Sequence, residues 1–386
     1  MTTPLTLRVH DSIDSIDPLA WDSLVGEHGS PFLEHAWLNL VEQTGSASPH
    51  TGWYPQHLSV WRGERLVAAA PAYLKTHSMG EFVYDWSWAQ AARQLGVAYY
   101  PKLIVGVPFT PVTGNRLLVA SGEDKGLEEL LVRGLLQRVA ETDCAGLHVL
   151  FDPKAESNRL HERGGATRLQ FQFHWKNRGY DCFEDFLKIF KSKKRSEFRR
   201  ERKRLAESGV VIERLIGDQI QERHVADMAG FYESTCMQFG GNNYLNHDFW
   251  GQVLDRFGHR MQLVLARDGD RTIAGAFNVQ RAGRLYGRYW GCSEERRFLH
   301  FEVCYYQAIE HCIEQRLDVF EPGHGGGHKY PRGFEPTLTY SNHWIQSSRL
   351  DGPIRDFLKR EGAAVRQQAQ ELTERLELKN PGALET

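Results

Sequence analysis

Two stretches of this chain share one strand–turn–strand pattern: QHLSVWRGERLVAAAPAYLK at 56–75 and MQLVLARDGDRTIAGAFNVQ at 261–280. In each, an alternating strand meets a charged turn with a glycine (Gly63, Gly269), and a strand of small apolar residues follows. Recurrence of a supersecondary unit at this separation points to a duplicated domain. Length agrees, since 386 residues exceed what one core usually organises. The order after each hairpin agrees as well. In the first half, LEELLVRGLLQRVAETD (127–143) sets Leu127, Leu130, Leu131, Leu135, Leu136 and Val139 on one helical face and feeds the strand AGLHVLF. In the second half, the strand RLYGRYWGC leads to the helix FEVCYYQAIEHCIEQR (301–316) and the strand LDVFEPG. Both halves therefore read as α/β with mixed sheets, over 1–175 and 176–386.

Between the halves, FEDFLKIFKSKKRSEFRRERKRLAES (183–208) reads as a helix. Phe183, Phe186, Leu187, Phe190, Phe198 and Leu205 form its apolar face, and nine Lys/Arg stand against two Glu across 191–204. A terminal helix is expected over 353–378, followed by a loose tail. Net charge is −2, so no global field draws the chain to nucleic acid or membrane. No apolar run is long enough for a spanning helix. The six cysteines are scattered without a C-x-x-C pair, which suits free thiols in a reducing, cytoplasmic setting. Oligomeric state is not legible.

The densest segment is EPGHGGGHKYPRGF, from Glu321 to Phe334. Alone it fits a phosphate cradle, a histidine metal site, part of an acyl-transfer centre or a turn. A Walker loop needs Gly-Lys-Ser/Thr opening a helix, whereas Lys329 is followed by Tyr330 and Pro331. His324 and His328 have i,i+4 spacing, which holds metal well on a helix, but the consecutive glycines between them make no helix. The expectation is therefore no metal.

Together, VLARDGDRTIAGAFN, LYGRYWGC, FLHFEVCYYQAIEHCIEQRL and FEPGHGGGHKYPRGF resemble the FemAB-like branch of the GNAT acyltransferase superfamily (peptidoglycan biosynthesis/recognition-type proteins). YYPKL (99–103), PFTPVTGNRLL (108–118) and QFHWKNRGYDCFEDFL (172–187) are similar to the same family, so the resemblance covers nearly the whole chain. It implies two tandem GNAT-like domains plus a C-terminal helix, and transfer of an acyl or aminoacyl group to an amine of a small molecule, peptide or cell-wall precursor. The donor is acyl-CoA or aminoacyl-tRNA, with no tightly bound cofactor. Two departures stand out. Where the branch reads roughly E-A-G-A-Q-G-E-H-K, this chain has E-P-G-H-G-G-G-H-K, so the Gln and second Glu give way to glycine. Where acyl-CoA enzymes place a glycine-rich pyrophosphate loop, it has RRFLHFEVC.

With the resemblance, Glu302 or His300 is expected as the base and Lys329 as the partner of developing negative charge. Expected substrate contacts are Tyr286, Arg288, Trp290, His328, Arg332, Tyr99, Lys102 and Thr110. Strand alternation would send Tyr286, Arg288 and Trp290 to one face and Tyr289 to the other. Tyr99, Lys102, Thr110 and Arg116 lie on proline-punctuated segments read as cleft walls or structural crossings. Lys193, Lys194, Arg195, Arg199 and Arg200 are the expected tRNA contacts. Two rival readings remain: a non-catalytic module binding tRNA or precursor, and a metal-assisted hydrolase using His324 and His328.

Overall fold

The computed structural model describes residues 3–124, 126–238 and 240–376. The chain forms two compact units: residues up to Gln170 with Leu338–Arg366, and Phe171–Thr337 with the chain from Gln367 onward.

The first unit contains β1 (Leu5–His10), β2 (Trp53–Pro55), β3 (His57–Arg62), β4 (Arg65–Ala70), β5 (Ala72–Lys75), β6 (Lys102–Val105), β7 (Leu118–Val119) and β8 (Gly146–Asp152). One sheet has the order β1-β3-β4-β7, and β2, β5, β6 and β8 are successive neighbours in another. The expected hairpin is β3–β4, in register Leu58↔Ala70. Pro71, which has no N–H to donate, separates β4 from β5, and the chain changes sheets there. Pro18 opens the helix Pro18–Val25, and the Asp17 carboxylate accepts from the Ala20 N–H at 2.8 Å. Its buried face is Trp21, Leu24 and Val25. Leu19, on the opposite side, is 82% exposed.

The second unit runs through the end of β9 (Ala166–Lys176, whose residues up to Gln170 belong to the first unit), β10 (Val211–Ile216), β11 (Met261–Asp268), β12 (Arg271–Arg281), β13 (Arg284–Cys292) and β14 (Val319–Glu321), with sheet order β10-β11-β12-β13-β14-β9. The two units repeat one order of elements. A strand (β1, β10) is followed by helices, a hairpin (β3–β4, β11–β12), a further strand (β6, β13), a helix, and a strand parallel to the one before that helix (β8 to β6, β14 to β13). The first unit departs from this shared order in carrying β2, β5, the helix Trp86–Leu95 and β7 as well, and in dividing its strands between two sheets.

The last strand, β15 (Glu335–Ile345), pairs antiparallel with β8 through His343↔His148 and Trp344↔Leu147. The helix Ser348–Arg375 then packs Leu350, Ile354 and Leu358 with Trp88, Ala92 and Tyr99. That pairing and burial return Leu338–Arg366 to the first unit, a division that a single cut at 175/176 does not capture. The helix starts before Pro353, and the expected residues 377–386 lie outside the described ones.

The predicted helix 183–208 is two helices, Phe183–Leu187 and Ser192–Glu207. The break lets Phe186, Phe190 and Phe198 converge on one core. Arg195 Nη1 donates to the Phe190 carbonyl across it at 2.8 Å.

Candidate active site

The helix after β13 is not regular. Residues Glu302–Tyr306 form a π turn between Leu299–Phe301 and Gln307–Glu314. Such wide turns shift side chains off the 3.6-residue stripe and recur at functional sites. Here Tyr305 comes to face the glycine-rich loop: its hydroxyl and His328 Nε2 are 2.7 Å apart. His300 completes an aromatic group, with ring centroids 4.9 Å from Trp290, 5.2 Å from Tyr305 and 5.3 Å from His328.

The parallel pairing of β13 with β14 ends at Tyr286↔Glu321, and the loop 322–329 begins there. Lys329 is 3% exposed, and its ammonium donates to the Gly323 carbonyl at 2.6 Å. Burial pushes the Lys329 pKa down to about 8. His300 is pushed down to about 4, by burial and then by the charges of His328, Lys329 and Arg332. His328, which is exposed, is lowered by partial burial and by Lys329 and Arg332. Both imidazoles are therefore neutral at pH 7 beside the buried cations Lys329 and Arg332. The glycines have a local reason at two positions. Gly326 sits at φ +82°, and a Cβ there would lie 2.8 Å from His328 Cε1; at Gly323, φ +84°, a Cβ would lie 3.1 Å from the Gly287 carbonyl oxygen. Nothing in the structure explains the glycine at 327.

Several expected site residues have other partners. Glu302 is buried, and Arg202 Nε reaches both its oxygens at 3.1 Å while Arg202 Nη2 and Gln307 Nε2 donate to Oε1 at 2.9 and 2.7 Å. A carboxylate gripped in this way anchors Arg202, and its oxygens are taken up by Arg202 and Gln307. Glu302→Gln is expected to destabilise the fold by roughly 1–3 kcal/mol in chemical denaturation. Arg332 is also interior: it bonds Glu201 at 3.2 Å and the Tyr306 hydroxyl at 3.0 Å, over the Phe301 ring. Cys304 gains no nucleophilic character, because burial pushes its thiol well up.

The expected alternation along β13 fails. Phe277 pairs with Tyr289 but Asn278 pairs with Gly287, so Arg288 is an extra residue in a bulge. Tyr286 and Tyr289 consequently share a face, opposite Val279 and Phe277, and Trp290 lies on the other, opposite Ala276. Tyr289 packs with Tyr232 and Trp250, and Trp290 with the cluster around Val264 and Leu299.

Tyr99, Lys102 and Thr110 belong to the first unit and are interior there. Lys102 opens β6 with no exposed side-chain surface, donating to Glu81 at 2.7 Å, to Ser78 at 2.9 Å and to Asp85. The Tyr99 hydroxyl donates to Asp85 at 2.6 Å and Thr110 to the Pro108 carbonyl at 2.9 Å. Arg116 bonds the carbonyls of Leu150 and Val112, both at 2.6 Å. Of the basic residues, Arg199 pairs with Glu184 at 2.6 Å, Lys194 with Glu197 at 2.9 Å, and Arg195 bonds Phe190; Lys193 and Arg200 stand exposed. Among the described residues no group of three or more His, Cys, Asp or Glu side chains is placed to hold a metal ion, and no helix is long and apolar enough to cross a membrane.

Sequence reasoning passed over Tyr305, Phe301 and the buried group of Gln172, His174 and Glu321. His174 Nε2 lies 3.8 Å from Glu321, which Arg284 also holds at 2.9 Å. The available signal was polar residues at alternate positions of an otherwise aromatic strand, QFQFHWK.

Residues 12–380 match the FemAB-like family, described as peptidoglycan biosynthesis/recognition. The chain belongs to that family. No match is found among curated protein sequences. The fold of this FemAB-like protein is similar to a crystal structure of FemX, with a TM-score of 0.54 and 12% identity over 88% of this chain and 98% of that one. It is also similar to the C-terminal domain of a putative lysylphosphatidylglycerol synthetase from Agrobacterium fabrum (TM-score 0.52, 9% identity, 92% of this chain and 98% of that one). L-PGS from Bacillus licheniformis is similar as well (0.52, 9%, 89% and 96%). At these identities the likeness is one of fold.

Proposed function

We propose that this FemAB-like protein transfers an aminoacyl group to an amine, at the group formed by His300, Tyr305, His328 and Lys329. The observation that carries this reading is a buried lysine ammonium set beside two neutral imidazoles, in a chain of this family. An attacking ammonium must lose a proton. His328, exposed and hydrogen-bonded to Tyr305, accepts it. The neutral amine adds to the donor carbonyl, and the buried Lys329 ammonium stabilises the oxyanion of the tetrahedral intermediate. Collapse expels the donor oxygen or sulfur, which takes the proton back from His328, and the second proton on the attacking nitrogen passes to solvent to leave the neutral amide. Glu302, named from the sequence as the base, instead holds Arg202.

An aminoacyl ester is favoured over acyl-CoA by the chain entering the helix. Arg296–Arg297–Phe298 stands where a glycine cradle would be, and Arg296 is held by Asp268 at 2.7 Å and Glu294 at 2.9 Å. Exposed Lys193 and Arg200 are the residues left to meet a tRNA backbone. The test is turnover: aminoacyl-tRNA and acyl-CoA donors are offered with an amine acceptor, and donor consumption is compared between the protein and His328→Ala. A drop of about 10²–10⁴-fold is expected in the variant. Equal rates would remove His328 from the mechanism.

The pH profile follows from the same groups. The rate rises as His328 loses its proton, below the ordinary histidine value of about 6.5. It falls above about 8, where Lys329 loses its charge. The check is a bell-shaped kcat profile whose alkaline limb disappears from the residual activity of Lys329→Met.

A further inference from the structure

A concave site lies in the first unit, between the start of β9 and the helix Ser348–Arg375. It encloses about 350 Å³, near the lower end of the range for small-molecule pockets. The helix face that lines it follows the i, i+3, i+4, i+7 repeat with one more turn: Arg355, Leu358, Lys359, Gly362 and Arg366. Apolar surface comes from Leu358 and, across the cavity, from Ala166 and Leu169, each of which is buried. The charge is of one sign: Arg355, Lys359 and Arg366 line the site with His161, and no carboxylate does so among the described residues. Asp351 holds Arg355 at 2.8 Å from outside the lining set, and Asp356 lies 3.9 Å from Lys359. Gly362 keeps the cavity open. It is buried, and a Cβ there would meet Leu169 Cδ1 at 3.5 Å and Arg366 Nη1 at 4.0 Å, an ordinary contact that would occupy the space.

We propose that this cavity binds an amphiphilic anion, a phosphate or carboxylate on a short apolar body, with the charge at Lys359 and Arg366 and the apolar part against Leu169, Leu358 and Gly362. Cations on a helix face attract any anion. A buried apolar floor beneath them selects those that carry hydrocarbon, because only these remove apolar surface from water. The site shares no residue with the proposed transfer chemistry and does not depend on it.

The test is isothermal titration of the full chain with hexyl phosphate and with inorganic phosphate, alongside sedimentation with phosphatidylglycerol vesicles. Hexyl phosphate is expected to bind at least tenfold more tightly than inorganic phosphate. Lys359→Glu with Arg366→Glu, both at exposed positions, should weaken it at least tenfold. Gly362→Leu should weaken hexyl phosphate while leaving inorganic phosphate unchanged. If that variant does not fold, the charge-reversed pair still decides the matter. Binding of hexyl phosphate without vesicle capture supports a free amphiphile as the source. Vesicle capture that is lost in the same charge-reversed variant supports a lipid headgroup. Equal affinity for the two phosphates, or affinity unchanged by charge reversal, overturns the proposal.

Discussion

Lys329→Met is expected to lower transfer by about 10²–10³-fold with an unchanged unfolding transition. Methionine matches the length and apolar body of lysine, so the buried stem keeps its packing and only the ammonium is lost. The Gly323 carbonyl loses one donor but belongs to a loop with half-buried and exposed neighbours, where water can replace it. The deficit should appear in kcat, because the cation acts on charge that exists only after the amine has added. A variant within threefold of the parent enzyme would show that the oxyanion is stabilised elsewhere.

Lys102→Met is expected to be the most damaging single change to stability, by about 3–5 kcal/mol at pH 7. It removes a cation that bonds both Glu81 and Asp85 in the interior of the first unit. The two carboxylates will respond differently. Burial already pushes Glu81 up to about 7, so it can take a proton at little cost. Burial also pushes Asp85 up, yet Lys102 and then His148 hold it well below the usual carboxylate range. With Lys102 present, Asp85 contributes stability above its unfolded pKa of about 3.8 that is lost as pH falls. Without Lys102 its folded pKa rises, and the sign reverses: the variant should recover stability as pH drops from 7 towards 5. Urea unfolding of Lys102→Met at pH 7 and 5, with Lys102→Met/Asp85→Asn as the rescue, checks this. No recovery at pH 5 and no rescue would mean that lost packing dominates.

Local patterns made much of the architecture legible. The hairpins 56–75 and 261–280, the helix after Leu127 and the strand 284–292 follow from periodicity and turn chemistry, which depend on near neighbours. The failures have non-local causes. One extra residue at Arg288 reverses the facing of the rest of β13, and nothing in RLYGRYWGC marks it. The π turn at Glu302–Tyr306 carries Tyr305 to His328 and leaves Glu302 with Arg202, a partner 100 residues away. Leu338–Arg366 returns to the first unit because β15 pairs with β8, a match that strand composition does not specify. In the candidate site, Lys329 and His328 were visible in the glycine-rich segment. Tyr305 and the burial that shifts His300 and Lys329 needed three dimensions.

The central claim is that the loop lysine and its imidazole neighbours perform amine acylation. The most direct measurement is single-turnover mixing of the protein with radiolabelled aminoacyl-tRNA and a panel of amines, including peptidoglycan precursor peptides. Label should move into amide linkage with the acceptor, with the acyl group lost from tRNA at the same rate, and both should fail in Lys329→Met. Binding of tRNA or precursor with no transfer under any donor, or transfer that survives in Lys329→Met, would contradict the account.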